Sequence, residues 1–227
     1  ATTIVIGILI SVIILAIEIS TQFFAQWKQS MLEAEKYKTE SVQAQLQNLK
    51  NQINPHFLFN NMSVLSSLVY KDQDKAVDFI NQLSKVYRYL LDNRNSELVT
   101  LESELEFIKS YNYLLQIRFD KNLVFKTEIR SDKMAMLIPP MSIQMLIENA
   151  IKHNEISEAL PLTITIESED NTIVVSNNLQ LRINQEVSSK SGLQNIKDRY
   201  KFYSEKVVIV NQDTTSFTVT LPLLNSK

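Results

Sequence analysis

Only two histidines, His56 and His153, occur in the 227 residues, and there is no cysteine. Imidazole chemistry therefore rests on two positions, and thiol chemistry is excluded. His56 stands in the run Gln52-Ile53-Asn54-Pro55-His56-Phe57-Leu58-Phe59-Asn60-Asn61. A neutral imidazole nitrogen is a competent nucleophile near neutral pH, because its reference pKa is about 6.5. Pro55 removes a backbone donor, so a helix passing through it would kink and let the ring move between two positions. Taken alone, a single histidine is more often a packing residue than a nucleophile.

A second group is Leu146-Ile147-Glu148-Asn149-Ala150-Ile151-Lys152-His153, which comes after Pro139-Pro140. On a helix, Asn149 and Lys152 are three apart and share a face. An amide oxygen suits Mg²⁺ and an ammonium suits phosphate. The plainer reading is the polar rim of an amphipathic helix. A third group, Ser191-Gly192-Leu193-Gln194-Asn195-Ile196, opens a helical pattern after a polar stretch. The free N–H groups of such a helix start bind phosphate oxygens. Gly7 and Gly192 are the only glycines, so a glycine-rich phosphate cradle is limited to one glycine.

These groups need elements to hold them. Ile4 to Ile17 is apolar apart from Gly7 and Ser11. At 1.5 Å per residue that run covers roughly 21 Å, short of a ~30 Å hydrocarbon core. We read residues 1–19 as the end of a transmembrane helix. Trp27, with Phe23 and Phe24, is expected at the membrane interface, and Lys28, Lys36 and Lys38 place the rest of the chain on the cytoplasmic side. From Phe24 to Ile53 no Gly or Pro occurs, and Phe24, Trp27, Met31, Ala34, Val42, Leu46, Leu49 and Ile53 recur at steps of mostly three and four. That is a helical seam suited to pairing with a copy of itself.

A second helix is expected over 74–92, with Ala76, Val77, Ile80, Leu83, Val86, Tyr87, Leu90 and Leu91 on its apolar face. A third starts after Thr100, a favoured N-cap type, where Glu102 and Glu104 suit the positive end of its dipole. Then the period changes to two. Leu123, Phe125, Thr127 and Ile129 alternate, as do Leu162, Ile164 and Ile166, and Ile173–Val175 forms another strand. Residues 177–190 have no period and read as a loop. Gly192 to Tyr203 is amphipathic, and strands at 206–210 and 217–221 flank the turn Asp213-Thr214-Thr215. The expected class is α+β: helices first, then a sandwich of mixed sheet and helices. Residues 20–120 are read as a helical linker and dimerisation part, and 121–227 as a separate domain that holds the mixed sheet. The net charge of −2 and the lack of a basic stripe exclude nucleic acid as partner.

The run around His56 resembles, almost letter for letter, the phosphoacceptor motif of LytS-type sensor histidine kinases, and the likeness extends roughly from Leu46 to Leu223. By that resemblance His56 takes the γ-phosphate of ATP. The second group is similar to the N box of the family's GHKL (Bergerat-type) ATP-binding domain. The likeness implies that Asn149 holds Mg²⁺, that Glu148 is catalytic, and that Lys152 and His153 lie near the phosphates. Gly192, Leu193 and Asn195 match the family's G-x-G-L-x-N box, with Lys190 in place of its first glycine. The D-x-G-x-G box is replaced by Ser176-Asn177-Asn178-Leu179, so the adenine contact falls to Asn177 without a charge. The resemblance implies a homodimer at the bacterial inner membrane, with its kinase portion cytoplasmic and a response regulator as partner. A rival expectation is a dimeric membrane-tethered scaffold that has lost nucleotide turnover.

Overall fold

A computed structural model of the chain describes residues 2–51, 55–182 and 191–225. The chain divides into two compact units, 1–60 and 61–227.

In the first unit a single helix, α1, runs Thr2–Asn51. Its apolar side chains Phe23, Phe24, Trp27, Met31 and Leu32 are all more than half exposed. Among the described residues no helix is long and apolar enough to cross a membrane. The run Ile4–Ile17, which carries that expectation, lies largely outside the residues whose side chains are described. The next helix, α2, spans Pro55–Lys71. Proline suits that first position, because its missing N–H has no intrahelical acceptor there and its φ is already helical. His56 is the second residue of α2; its side chain lies outside the described residues.

In the second unit α3 (Gln73–Asp92) is capped by Asp72, whose side chain accepts from the Lys75 N–H at 3.0 Å. Its buried stripe is Ala76, Phe79, Leu83 and Val86, at steps of three and four. Val77, Ile80 and Leu91, expected on that face, are exposed at 58%, 48% and 64%. Within this unit α3 packs mainly against one neighbour, α4, so a narrow stripe suffices. That neighbour, α4 (Leu101–Phe119), starts at Thr100, whose Oγ1 accepts from the Ser103 N–H at 3.2 Å, as expected.

A two-stranded ribbon pairs β1 (Val99–Thr100) antiparallel with β3 (Leu137–Ile138). Two-residue strands carry no periodicity, so they leave no mark in the sequence. The main sheet contains β2 (Leu123–Glu128), β4 (Leu162–Glu169), β5 (Thr172–Asn178), β6 (Ile209–Gln212) and β7 (Ser216–Pro222). Its order is β2-β4-β5-β7-β6. The β2–β4 pair is parallel and the others antiparallel, the mixed sheet of an α+β fold. The crossover from β2 to β4 carries α5 (Ser142–His153). Leu162, Ile164 and Ile166 of β4 and Ile143 and Ile147 of α5 are fully buried. Each such side chain contributes about 1.5–3 kcal/mol over an exposed one.

Several boundaries differ from expectation: β2 ends at Glu128, before Ile129, and the helix expected to reach Tyr203 ends at Lys201. Strand β5 runs through Asn178, so Asn177 and Asn178 belong to the sheet rather than to a loop. Strand β6 begins at Ile209, after the stretch 206–208 that was expected to be extended. The turn between β6 and β7 is as expected: the Asp213 carboxylate accepts from the N–H groups of Thr215 and Ser216. These bonds hold the Asp213 carboxyl well below the usual range.

Candidate functional site

The candidate residues of the second unit sit on three elements: α5, the end of β5 and the start of α6 (Ser191–Lys201). Helix α5 packs on both β5 and α6.

The chain enters α5 through Pro139-Pro140 and through Met141, whose φ is 64°, the left-handed region. Met141 gives no side-chain cap, although the first N–H groups of a helix need acceptors. Glu104, a fully buried residue of α4, supplies them from across the core. Its Oε2 accepts from the Met141 N–H at 2.9 Å and its Oε1 from the Ile143 N–H at 3.2 Å. The hydroxyl of Tyr89 on α3 also donates to Oε2, at 2.5 Å. Glu104 stands in the first turn of its own helix, as expected, and its carboxylate is turned onto the N-terminus of α5. Burial pushes the Glu104 carboxyl above its ordinary range, opposed by these three donors and by Arg199. Arg199, on α6, donates to the carbonyl of Pro140 at 2.8 Å.

Along α5, Glu148 is half-buried and its Oε1 accepts from the Tyr111 hydroxyl at 3.1 Å and from the Gln144 side chain at 2.9 Å. Asn149 is half-buried, with no side-chain hydrogen bond to any described residue. Lys152 is exposed. His153 is half-buried; burial, then the charges of Lys152 and Arg182, hold its pKa below the ordinary 6.5. At this end Arg182 donates to the carbonyls of Asn154 at 2.9 Å and Ile151 at 3.3 Å, a cation placed at the negative end of the helix.

Asn177 is 6% exposed. Its Nδ2 donates to the Asn178 carbonyl at 2.7 Å, and no described residue donates to its Oδ1. Its neighbours fasten the end of β5. Asn178 Oδ1 accepts from the Thr163 N–H at 2.7 Å, and Gln180 donates from its backbone to Asn154 Oδ1 at 2.8 Å. Asn154, Gln180 and Arg182 leave no mark in the sequence, because polar residues in an aperiodic stretch carry no signal of their partners.

Gly192 is the second residue of α6, and a Cβ added to it meets nothing within 4 Å. The local backbone does not require glycine, and no described residue comes close to that Cβ position. Leu193 is half-buried and Asn195 exposed. Residues 183–190, which include Lys190 and most of the expected loop, lie outside the described residues. Among the described residues no three His, Cys, Asp or Glu side chains gather in a way that could hold a metal ion. Any cation here would take most of its ligands from elsewhere.

A histidine kinase family model matches residues 44–123. Sensor protein LytS of Oceanobacillus iheyensis is 37% identical over 149 residues, covering 64% of this chain and 25% of that protein. Sensor protein LytS of Staphylococcus haemolyticus is 31% identical over 172 residues, covering 69% and 30%. The chain belongs to the LytS-type sensor histidine kinase family. It spans less than a third of the length of these relatives. Among solved structures, the catalytic domain of histidine kinase ThkA aligns with a TM-score of 0.39 and 16% identity, covering 57% of this chain and 97% of that one. Acinetobacter baumannii histidine kinase AdeS aligns with a TM-score of 0.36 and 12% identity, covering 75% and 98%. The family match at 44–123 includes His56, Tyr89 and Glu104 but ends before α5, so the roles of residues on α5, β5 and α6 rest on their chemistry and geometry.

Proposed function

We propose that the chain is the ATP-dependent autokinase portion of a membrane sensor in a two-component system. A ring nitrogen of His56 attacks the γ-phosphorus of ATP, the bond from that phosphorus to the β–γ bridging oxygen breaks, and ADP leaves. The phosphoryl group then passes to an aspartate of a response regulator. Catalysis of this kind is mainly positioning and charge stabilisation.

The observation that carries the reading is the polar face of α5 beside α6. Asn149 has no side-chain partner among the described residues, Lys152 is exposed, and no described residue comes close to a Cβ placed at Gly192. That donor set fits a magnesium nucleotide. Asn149 would hold Mg²⁺ through its amide oxygen, with phosphate oxygens and water as the other ligands. The ion would neutralise charge on the phosphates. Lys152 and the N–H groups at the start of α6, through Gly192, Leu193 and Asn195, bind phosphate oxygens; His153 lies at the same end of α5. Asn177 accepts from the adenine amino group through Oδ1. Glu148 keeps one carboxylate oxygen fixed by two donors and holds the other toward the reacting groups as general base. The chain acts as a homodimer through α1 to α3, anchored by residues 1–19, with the kinase portion on the cytoplasmic side of the bacterial membrane.

The test is incubation of the chain with γ-labelled ATP and Mg²⁺. Acid-labile, alkali-stable label is expected, and His56→Gln abolishes it. Full labelling of His56→Gln overturns the assignment. Absence of label from the wild type, together with absence of nucleotide binding, moves the reading to a scaffold; the uncharged Asn177 in the adenine position is the observation that favours it.

A further inference from the structure

We infer that Glu104, held by Tyr89, is a positioning residue for the nucleotide site: it fixes the N-terminus of α5 and thereby the placement of Asn149 and Lys152. The inference rests on the kinase reading above and adds to it a residue outside the three candidate groups.

Glu104 is the meeting point of four helices. It belongs to α4 and accepts from the α3 residue Tyr89 and from the first turn of α5. On the fourth side, α6 supplies Arg199, which binds the Pro140 carbonyl, and Tyr200, which is buried. The Tyr200 hydroxyl has no hydrogen-bond partner among the described residues, and both burial and the Glu104 charge raise its pKa. A buried carboxylate is costly unless its lone pairs are taken. Here two of its donors are the N–H groups that α5 cannot satisfy from its own sequence, because Met141 offers no cap. The negative charge also lies at the positive end of the α5 dipole. From Ser142 to Asn149 is seven residues, about 10 Å of rigid helix. A tilt at the first turn therefore displaces Asn149 and Lys152 bodily. Tyr89 makes that first turn sensitive to α3: its ring stacks on Phe107 with centroids 4.3 Å apart, and its hydroxyl reaches the carboxylate.

The experiment uses the full chain and MgADP as probe. Calorimetry gives affinity, and thermal melting without nucleotide gives stability, for the wild type, Tyr89→Phe and Glu104→Gln. Tyr89→Phe keeps the ring stack and loses only the hydroxyl, so it folds even where Glu104→Gln does not. The expected result is MgADP binding about five- to tenfold weaker in Tyr89→Phe. Glu104→Gln is weakened at least as much, and the double variant no more than Glu104→Gln alone. A purely structural Glu104 lowers the melting temperature but leaves the affinity of the folded molecules as in the wild type; that outcome overturns the inference. A wild type that binds MgADP while all variants bind it equally well also overturns the inference and leaves the kinase reading standing. A wild type that binds no nucleotide overturns the kinase reading and, with it, this inference.

Discussion

The hydroxyl of Tyr111, on α4, donates to Oε1 of Glu148, on α5, at 3.1 Å across 37 positions of sequence. Tyr111 is buried at 2% exposure, and burial together with the Glu148 carboxylate raises its pKa far above the ordinary value. It is therefore a neutral donor at every pH of interest. A hydrogen bond to a charged group contributes about 1.5–3 kcal/mol, and 1.4 kcal/mol corresponds to about tenfold in rate. Tyr111→Phe is expected to slow labelling at saturating ATP by roughly tenfold. A rate unchanged from the wild type would mean that the orientation of Glu148 plays no part in the chemistry.

Thr100 caps α4, the helix that carries Glu104 and Tyr111. Its Oγ1 satisfies the Ser103 N–H, and its backbone pairs with Leu137 in the small ribbon. Alanine keeps the ribbon and loses the cap. Thr100→Ala is expected to cost about 0.5–2 kcal/mol of stability, or roughly 2–4 °C per kcal/mol for a domain of this size. Denaturant or thermal unfolding measures it. No change in midpoint would show that water or another group caps the helix equally well.

Local features were the legible ones. The Thr100 cap, the alternation of Leu162, Ile164 and Ile166, and the Asp213 turn are set by neighbours within a few residues, and each is found where expected. Glu104 stands in the first turn of α4 as expected, and that local rule accounts for it so fully that it gives no hint of a further role. Its acceptor role depends on chain entering α5 some 37 to 39 positions later. Asn177 and Asn178 look like loop residues by composition. They are strand residues because β7 pairs with β5 as far as Asn178. Phe79 is buried while Val77 and Ile80 are exposed, because a broad apolar face does not tell which third of it meets α4.

His153 gives a dependence of stability on pH. Its folded-state pKa lies below the ordinary 6.5, which approximates the unfolded chain. Between the two values the unfolded state binds more protons, so stability rises with pH. The contribution is fully present above about pH 7 and is lost as pH falls from about 6.5 toward the folded-state pKa. His153→Gln is expected to remove that share while leaving the titration of the carboxylates at lower pH. Melting temperatures of the two proteins between about pH 5 and pH 7.5 are the check. Parallel curves across that window would mean that His153 titrates alike in folded and unfolded chains.

Asn177 tests how much a charge would add at the proposed nucleotide site. Its side chain is buried, its Nδ2 is committed to the Asn178 carbonyl, and its Oδ1 has no donor among the described residues. The geometry thus already presents an oxygen, and an aspartate would present one with a charge. A charged acceptor contributes ~1.5–3 kcal/mol where a neutral one contributes ~0.5–1.5. A gain of roughly 1 kcal/mol is about five- to tenfold in affinity. Aspartate also loses the Nδ2 donor and sets a carboxylate against the Asn178 carbonyl, so the apo-protein is expected to melt at a lower temperature. Calorimetry with a non-hydrolysable ATP analogue separates the two effects. Tighter binding by Asn177→Asp, with a less stable apo-protein, is the expected pair. Tight binding by the wild type that is lost in Asn177→Asp would assign Asn177 to a recognition scheme in which its amide N–H, and not its oxygen, faces the base.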